Sequence, residues 1–397
     1  MALAGAAPDG GGVLLILPPE PDGGGIPPRL LVAGLPLLRR IVLAADHAGF
    51  GAVLVGGLRS EDQPLLAGTS ATPIGAAGAL PSPLPPRIVL LAANVVPQPA
   101  WLRGLREMAL EPDHLCVDDA SVAVLETTEP ARVVEAAARA RSAGEAVAAL
   151  RGMFKTASGS LGTDGHFPLS APTDLTAAES WLLRSLITPS EGFMSRHFER
   201  RLSLALTRRL VRTAITPNLM TLVSVAVGLA SAPFFLSSAP GWQLAGALLF
   251  LAHSILDGCD GELARLKFLE SPHGAILDFW GDNLVHVAVF AGMALGWSLD
   301  ARASWPLLFG AVAVASTAGA AVAVYRRGAH PLVPVASASP SSRVVEALAH
   351  RDFIYLIVLL AAAGKAAWFL VLAAMGTPIF LLLVLWSGRR RSELDRR

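Results

Sequence analysis

Residues 257–282 read DGCDGELARLKFLESPHGAILDFWGD, a stretch with aspartates at Asp257, Asp260, Asp278 and Asp282. The surrounding sequence is apolar enough to lie in a membrane. Carboxylates at that depth are costly, so intramembrane acidic residues usually mark functional sites. We therefore predict that these aspartates carry out chemistry.

The spacing of the aspartates predicts that they meet. If the first part of the stretch is helical, Asp260, Gly261 and Ala264 lie within about 60 degrees of Asp257 around the helix. Asp278 and Asp282 are four residues apart and share one face of a second helix, which follows a turn at residues 271–274. Two helices can thus direct four carboxylates at one point, where divalent cations with oxygen ligands would offset their repulsion.

The motif resembles the signature of a known family. Its eight specified positions are Asp257-x2-Asp260-Gly261-x2-Ala264-Arg265-x8-Gly274-x3-Asp278-x3-Asp282. Without a gap or a substitution, they are similar to the signature of the CDP-alcohol phosphotransferases, also called the CDP-alcohol phosphatidyltransferase family. The resemblance covers roughly Met194 to Trp386. It implies six transmembrane helices behind an interfacial amphipathic helix.

The resemblance also implies site roles, two divalent ions (Mg²⁺ or Mn²⁺) and a CDP-alcohol donor, with CDP-diacylglycerol among the candidates. The implied metal ligands are Asp257, Asp260, Asp278 and Asp282, and Asp282 is also the implied catalytic base. The implied CDP-binding residues are Asn218, Thr221, Gly261, Ala264, Arg265, Ser271 and Gly274. Members of this fold are commonly homodimers, so a homodimer is expected.

Local explanations stand beside several of these roles. Thr216 and Ser271, each followed by proline, are typical helix N-caps, which alone would explain both residues. The aspartates could instead form internal salt bridges with Arg265, Lys267 or His286. We interpret His253 and His286 as buried core residues.

Composition separates the chain into two parts. The 397 residues are 53% hydrophobic and 16% charged, and the apolar surplus lies in the second half. Segments of about 20 apolar residues can cross a bilayer. The candidate spans are Pro217 to Leu236, Trp242 to Leu266, Gly274 to Leu299, Trp305 to Tyr325, Val344 to Ala363 and Ala366 to Trp386. The fifth is the weakest, because His350, Arg351 and Asp352 interrupt it.

Lysine and arginine in short loops predict the orientation, because they concentrate on the cytoplasmic side. One side of the predicted bundle has only Arg302 and Lys365. The other side has Arg196 to Arg212, Arg265, Lys267, Arg326, Arg327, Arg343 and Arg389 to Arg391. We therefore expect an integral protein of the cell (inner) membrane, with the active site and the soluble domain on the cytoplasmic side.

The segment Met194 to Thr213 predicts a helix that lies in the headgroup layer. Its apolar residues Phe198, Leu202, Leu206 and Leu210 are spaced by four, and its arginines are expected to face anionic lipid. A charged linker helix is the simpler alternative. The net charge of +1 and the lack of basic and aromatic interleaving predict no nucleic-acid partner.

The first half is predicted to be a soluble α/β domain with a mostly parallel sheet. Predicted strands are Val13 to Leu17, Ala52 to Val55, Arg87 to Ala93 and Ser121 to Leu125; predicted helices are Leu35 to Gly49 and Ala131 to Leu150. A further helix, Thr176 to Ile187, is expected to dock this domain onto the membrane. The segment PPRLLVAGLPLLRR after a glycine-rich loop resembles the opening of the sugar-phosphate nucleotidyltransferases. That family has a lysine at about the position of Arg29 and a metal-binding aspartate at about the position of Asn94. We therefore expect a degenerate cytidylyltransferase-like domain.

The predicted organisation has five parts. They are a soluble α/β nucleotidyltransferase-like domain (1–153), a flexible linker and docking helix (154–193), an interfacial amphipathic helix (194–213), a six-helix membrane domain (214–388) and a basic cytoplasmic tail (389–397).

Three function classes remain open. The first is a membrane CDP-alcohol phosphotransferase that releases CMP, with an unknown hydroxyl acceptor for which Arg326 and Arg351 are candidate ligands. The second is a bifunctional cytidylyltransferase and phosphotransferase of the inositol-phosphate type. The third is a non-enzymatic membrane protein whose aspartates carry ions. The intact motif favours the first class, since ion transport needs carboxylates but no nucleotide frame.

Overall fold

The structure is a computed structural model that describes residues 11–19, 25–74, 83–119, 121–157, 159, 161–162, 164–187, 198–326 and 353–394, with only the backbone at 119 and 387–394. The chain divides into two compact units, Met1–Arg184 and Ser185–Arg397.

The first unit is an α/β domain built on one large sheet. Its strands are β1 (Val13–Leu17), β2 (Leu31–Val32), β3 (Leu35–Pro36), β4 (Ala52–Val55), β5 (Ala71–Pro73), β6 (Arg87–Ala92), β7 (Val95–Pro97), β8 (His114–Asp119), β9 (Val122–Glu126), β10 (Lys155–Ala157) and β11 (His166–Pro168). Its helices are α1 (Leu37–Ala48), α2 (Pro99–Glu107), α3 (Pro130–Arg139), α4 (Ala143–Met153) and α5 (Leu175–Arg184).

The sheet has seven strands in the order β10-β8-β9-β6-β1-β4-β5. Only β9 runs antiparallel to its neighbours β6 and β8, so the prediction of a mostly parallel sheet is confirmed. The strand β1 is buried at every position and lies between β4 and β6. A strand covered on both faces explains why Val13 to Leu17 is a continuous apolar run.

Two helix predictions in this unit need correction. The helix expected from Leu35 begins at Leu37, because β2 and β3 pair as a hairpin, and it ends where Gly49 adopts a φ of 79°. The single helix expected over Ala131 to Leu150 is two helices, α3 and α4. Ser142 is extended and its hydroxyl accepts a hydrogen bond from the N–H of Glu145, so it caps a new helix.

The segment expected to be a flexible linker is partly ordered within the first unit. It contains β10, which pairs with β8, and β11, which pairs with β7. The following helix α5 packs on the same unit, since the buried carboxylate of Glu179 accepts a hydrogen bond from the N–H of Ala33 at 3.1 Å. Burial lowers the pKa of the nearby Arg40 to about 10, against the opposing attraction of Glu179.

The second unit is helical in its described residues. Its helices are α6 (Arg200–Leu210), α7 (Pro217–Ser231, continued by a 3₁₀ turn over Ala232–Leu236), α8 (Pro240–Lys267), α9 (Pro272–Ala301), α10 (Pro306–Arg326), α11 (Phe353–Ala362) and α12 (Ala366–Leu394). Five helical segments are long and apolar enough to cross a membrane: Pro217–Leu236, Pro240–Lys267, Pro272–Ala301, Pro306–Arg326 and Ala366–Trp386.

The count of six spans is therefore not reached in the described residues. Of the predicted fifth span, Phe353–Ala362 is an apolar helix too short to cross by itself, and residues 344–352 lie outside the described residues. The other five spans lie where the hydropathy pattern predicts them, with ends shifted by a few residues.

Glycines allow the helices of this unit to approach closely. A Cβ atom at Gly296 of α9 would lie 2.0 Å from the carbonyl oxygen of Phe235, and one at Gly292 would lie 2.5 Å from that of Ala232. Small residues at such contacts are typical of helices packed in membranes. They bring the second half of α9 against the 3₁₀ turn after α7, and in its first half a Cβ at Gly281 would lie 2.5 Å from Cγ2 of Val225 on α7.

Candidate metal and nucleotide site

The aspartates lie on two consecutive helices joined by a tight turn. Helix α8 ends where Phe268 adopts a left-handed conformation, with a φ of 55° and its N–H directed at the carbonyls of Ala264 and Arg265. Helix α9 begins after Ser271, whose hydroxyl accepts a hydrogen bond from the N–H of Gly274 at 3.0 Å. Ser271 is therefore an N-cap as predicted, and the turn brings the end of α8 close to the start of α9.

Three of the four aspartates meet at one point. Asp257 of α8 and Asp278 and Asp282 of α9 each offer a carboxylate oxygen, and these three atoms lie within 4.8 Å of one another. Asp257 is only 5% exposed. Oδ1 of Asp278 is buried and has no hydrogen-bond partner among the described residues.

This donor set fits a divalent cation. A buried carboxylate oxygen is costly unless it is hydrogen-bonded or coordinates a metal. All-oxygen, carboxylate-rich ligands are those that hard divalent cations such as Mg²⁺ prefer. Asp257, Asp278 and Asp282 could therefore hold such an ion together.

Asp260, the fourth predicted ligand, is tied to the neighbouring helix α7. Its Oδ2 accepts a hydrogen bond from the hydroxyl of Thr221 at 2.5 Å, and both side chains are buried. Asp260 is not part of the group of three described above. Thr221, predicted to contact the nucleotide, therefore contacts a predicted metal ligand.

The other predicted CDP-binding residues form two groups. Asn218, Ser271 and Gly274 lie together, since a Cβ at Gly274 would be 2.9 Å from Oδ1 of Asn218 and 3.0 Å from Oγ of Ser271. The guanidinium of Arg265 covers Gly261, where a Cβ would lie 3.3 Å from Nη1 of Arg265. Ala264 is half-buried, one turn after Asp260 on α8.

A buried histidine, His253, and a half-buried one, His286, border the aspartates. Nδ1 of His253 lies 2.9 Å from the carbonyl oxygen of Ser224, and its Nε2 lies 3.5 Å from Oδ1 of Asp282. Nδ1 of His286 lies 2.7 Å from the carbonyl oxygen of Asp282. The sequence predicts both as core residues, and the contact between His253 and Asp282 adds a polar neighbour to the site.

Lys267 was considered as a salt-bridge partner of the aspartates, and Arg326 and Arg351 as ligands of the acceptor. Lys267 donates to the carbonyl oxygens of Thr213 at 2.8 Å and Ile215 at 3.3 Å, which fastens the start of α7 to the end of α8. Arg326, a candidate acceptor ligand, is exposed at the end of α10. The other candidate, Arg351, lies outside the described residues.

One acidic residue of the motif region was not predicted to have a role. Glu262 is fully buried on α8, and its carboxylate accepts hydrogen bonds from α6. One donor is Arg200, whose side chain is 20% exposed, so this arginine faces a carboxylate rather than lipid. Of the apolar stripe predicted to face lipid, Phe198 and Leu202 are exposed, and Leu206 and Leu210 are half-buried. The sequence offered two signals for this contact. Glu262 is a fifth carboxylate within a predicted membrane span, and Ser203 and Thr207 are two hydroxyl residues four positions apart on the preceding predicted helix.

In the first unit, the two departures from the nucleotidyltransferase pattern have structural partners. Arg29 forms an ion pair with Asp62 at 2.6 Å. The side-chain amide of Asn94 donates to the carbonyl oxygen of Leu169 at 2.9 Å. Both side chains therefore hold neighbouring loops.

Comparison with known proteins gives a family match in the second unit and similarity to several named relatives. Residues 214–380 match the family model described as CDP-alcohol phosphatidyltransferase. The "Bifunctional IPC transferase and DIPP synthase" of Rubrobacter xylanophilus is 38% identical over 151 residues, which are 38% of this chain and 34% of that protein. The protein of the same name from Thermococcus kodakarensis is 33% identical over 220 residues, 53% of this chain and 48% of that protein. The matches thus span about half or less of these relatives.

Among solved structures, the phosphatidylinositol phosphate synthase of Mycobacterium tuberculosis with CDP-DAG bound is similar to part of the chain. The identity is 22%, the TM-score is 0.34, and the match covers 47% of this chain and 94% of that chain.

The eight-position motif, the helices that carry it and the family match all fall in the same part of the chain. Residues 214–380 are a domain of the CDP-alcohol phosphatidyltransferase family.

Proposed function

We propose that the protein is a membrane CDP-alcohol phosphotransferase, which transfers a phosphatidyl or phospho-alcohol group from a CDP-alcohol to an acceptor hydroxyl and releases CMP. One observation carries the proposal. In a CDP-alcohol phosphatidyltransferase domain, carboxylate oxygens of Asp257, Asp278 and Asp282 lie within 4.8 Å of one another.

The residues have distinct roles in this reaction. Asp282 accepts the proton of the acceptor hydroxyl as its oxygen attacks the phosphorus that bears the alcohol, and the bond to the CMP oxygen breaks. Asn218, Ser271 and Gly274 on one side, and Gly261, Ala264 and Arg265 on the other, hold the cytidine diphosphate, with Arg265 paired to a phosphate. Asp257, Asp260, Asp278 and Asp282 would hold two divalent ions, Mg²⁺ or Mn²⁺, which would neutralise charge on the diphosphate.

The proposal also covers the substrates, the oligomeric state and the location in the membrane. The donor is a CDP-alcohol such as CDP-diacylglycerol, and Arg326 and Arg351 are candidate ligands for the acceptor. The protein is a homodimer in the cell (inner) membrane, with its soluble domain and active site on the cytoplasmic side and α6 in the headgroup layer. The N-terminal domain is a degenerate nucleotidyltransferase-like domain.

A donor-by-acceptor matrix tests the proposal. Membranes containing the protein, with Mg²⁺ or Mn²⁺, are given each CDP-alcohol with each candidate acceptor, and CMP is measured. We expect CMP only with a matched pair. Asp278→Asn and Asp282→Asn should each lower the rate by at least about 100-fold. Asp300→Asn, an exposed aspartate at the far end of α9, is the matched control and should retain the wild-type rate. Unchanged turnover in both site variants would refute the mechanism.

The names of the curated relatives favour a second candidate, a bifunctional enzyme whose N-terminal domain makes the CDP-linked donor. The partners of Arg29 and Asn94 argue against it, since both side chains hold neighbouring loops and an amide cannot give a metal the charge of a carboxylate. Incubating the full chain with CTP and phosphorylated alcohols and measuring pyrophosphate decides between the two. Pyrophosphate release that Arg29→Ala abolishes would establish the bifunctional enzyme.

A further inference from the structure

Glu262 is a charged residue in the middle of the motif region that the proposed chemistry does not use. Its side chain is 0% exposed, although it lies on a helix long and apolar enough to span a membrane. A buried carboxylate is tolerated only when it is paired and hydrogen-bonded. The hydrogen-bond partners of Glu262 therefore indicate its structural role.

The three side chains that donate hydrogen bonds to Glu262 lie on one helix, α6. Oε1 accepts from Nη1 of Arg200 at 2.8 Å and from the hydroxyl of Ser203 at 2.6 Å. Oε2 accepts from the hydroxyl of Thr207 at 2.6 Å. Arg200, Ser203 and Thr207 are spaced by three and four residues, so they lie on one face of α6. We call these three residues and Glu262 the α6 clamp.

The α6 clamp lies behind the aspartates. At about 100 degrees per residue, Glu262 is about 140 degrees around α8 from Asp257 and about 160 degrees from Asp260. The helix thus presents the aspartates on one side and the clamp on nearly the opposite side.

The contact between α6 and α8 is close enough to fix that position. A Cβ at Gly258 would lie 3.6 Å from Nη1 of Arg200 and 3.6 Å from Cβ of Ser203. The thiol of Cys259 donates to the carbonyl oxygen of Ser203 at 3.6 Å. Both residues neighbour Asp257 or Asp260 in sequence, so a shift of α8 at the clamp moves these aspartates relative to Asp278 and Asp282 on α9.

We propose that Glu262 is a positioning residue. Through the α6 clamp it fixes the position of α8, so that Asp257 meets Asp278 and Asp282 in a divalent-metal site. The inference deepens the proposed function and rests on it for the role of the metal. Seating of the interfacial helix and assembly of the metal site are then one event.

The test is Mn²⁺ binding to the full-length protein in lipid nanodiscs, measured by electron paramagnetic resonance, alongside CMP release and thermal unfolding. Thr207→Val removes the hydroxyl with almost no change of shape, and Thr207→Ser retains it. We expect Thr207→Val and Glu262→Gln to weaken Mn²⁺ binding by about 10-fold or more, the usual effect of losing a group that orients a metal ligand. Thr207→Ser should bind Mn²⁺ as the wild type does.

Two controls match these substitutions. Thr377→Val removes a hydroxyl that donates within α12, to the carbonyl oxygen of Ala373. Glu270→Gln neutralises an exposed glutamate just beyond the end of α8. Neither should change Mn²⁺ binding.

The outcomes separate this inference from the proposed function. A lower unfolding temperature with unchanged Mn²⁺ affinity in Thr207→Val would overturn it, because the clamp would then only stabilise the fold. Weak binding in Thr207→Ser equal to that in Thr207→Val would also overturn it. Wild-type protein that binds Mn²⁺ but releases no CMP with any donor would refute the proposed function, and the Mn²⁺ titration would still decide the role of Glu262. Wild-type protein that binds no Mn²⁺ would overturn both.

Discussion

The hydroxyl of Thr221 on α7 donates to Oδ2 of Asp260 on α8 at 2.5 Å, within the buried interior of the helical unit. The same hydroxyl lies 3.2 Å from the carbonyl oxygen of Pro217, at the start of α7. The orientation of Asp260 therefore depends on where α7 begins. Thr216 caps that start, its hydroxyl accepting from the N–H of Leu219 at 3.3 Å.

Removing this hydroxyl should impair catalysis. Thr221→Val leaves Oδ2 of Asp260 without its donor, and we expect CMP release to fall by about 10-fold or more, in line with other groups that orient metal ligands. Thr221→Ser retains the donor and should stay within a few-fold of wild type. Initial rates at saturating donor and acceptor measure the effect. Equal rates for the valine and serine variants would contradict the role of the hydroxyl.

Divalent metal should stabilise the folded protein. An ion that binds only the folded state adds about 2.7 kcal/mol to the free energy of unfolding when its free concentration is 100 times its Kd. We therefore expect Mg²⁺ or Mn²⁺ to raise the unfolding temperature of the purified protein and a chelator to reverse the rise. A metal-free baseline in the same detergent serves as the control, and an unfolding temperature that metal leaves unchanged would contradict the prediction.

Asp278→Asn should largely abolish the stabilisation by metal. With chelator present, replacing one of three close carboxylates by a neutral amide removes repulsion, so the variant should unfold at a higher temperature than wild type. With metal present, the variant should gain little, because it has lost a ligand. Thermal melts with and without metal check both signs. A variant that gained as much from the metal as wild type does would exclude Asp278 as a ligand.

Close helix packing should make Gly296 intolerant of substitution. A Cβ there would lie 2.0 Å from the carbonyl oxygen of Phe235, a backbone atom that cannot rotate away. We expect Gly296→Ala to destabilise the protein by about 3 kcal/mol or more, at the upper end of overpacking effects. Gly376→Ala on α12 is the control, since nothing lies within 4 Å of its added Cβ. It should change stability by no more than about 1 kcal/mol. Similar unfolding temperatures for the two variants would contradict the packing of α9 against the turn after α7.

The sequence predicts much of this architecture because the relevant signals are local. The caps at Thr216 and Ser271 and the four-residue spacing of Asp278 and Asp282 depend only on nearby residues. The strand β1 is recognisable because burial on both faces requires an apolar run.

The errors arise where distant contacts decide. The break between α3 and α4 is accompanied by a hydrogen bond from the N–H of Ala143 to the carbonyl oxygen of Pro18, which is remote in sequence. The burial of Glu262 depends on α6, 55 to 62 residues away along the chain. Helical periodicity locates a residue on a face but does not identify the element that covers that face.

The arrangement of α8 also bears on how the protein enters the bilayer. Its last turns carry Asp257, Asp260 and Glu262, each of which is held by or grouped with residues of other helices. An aspartate near the centre of a lone span opposes insertion by about 2.5 to 3.5 kcal/mol. The second half of α8 is thus poorly suited to enter lipid by itself, and its stable integration awaits α6, α7 and α9, so biogenesis of this helix depends on neighbours made both before and after it.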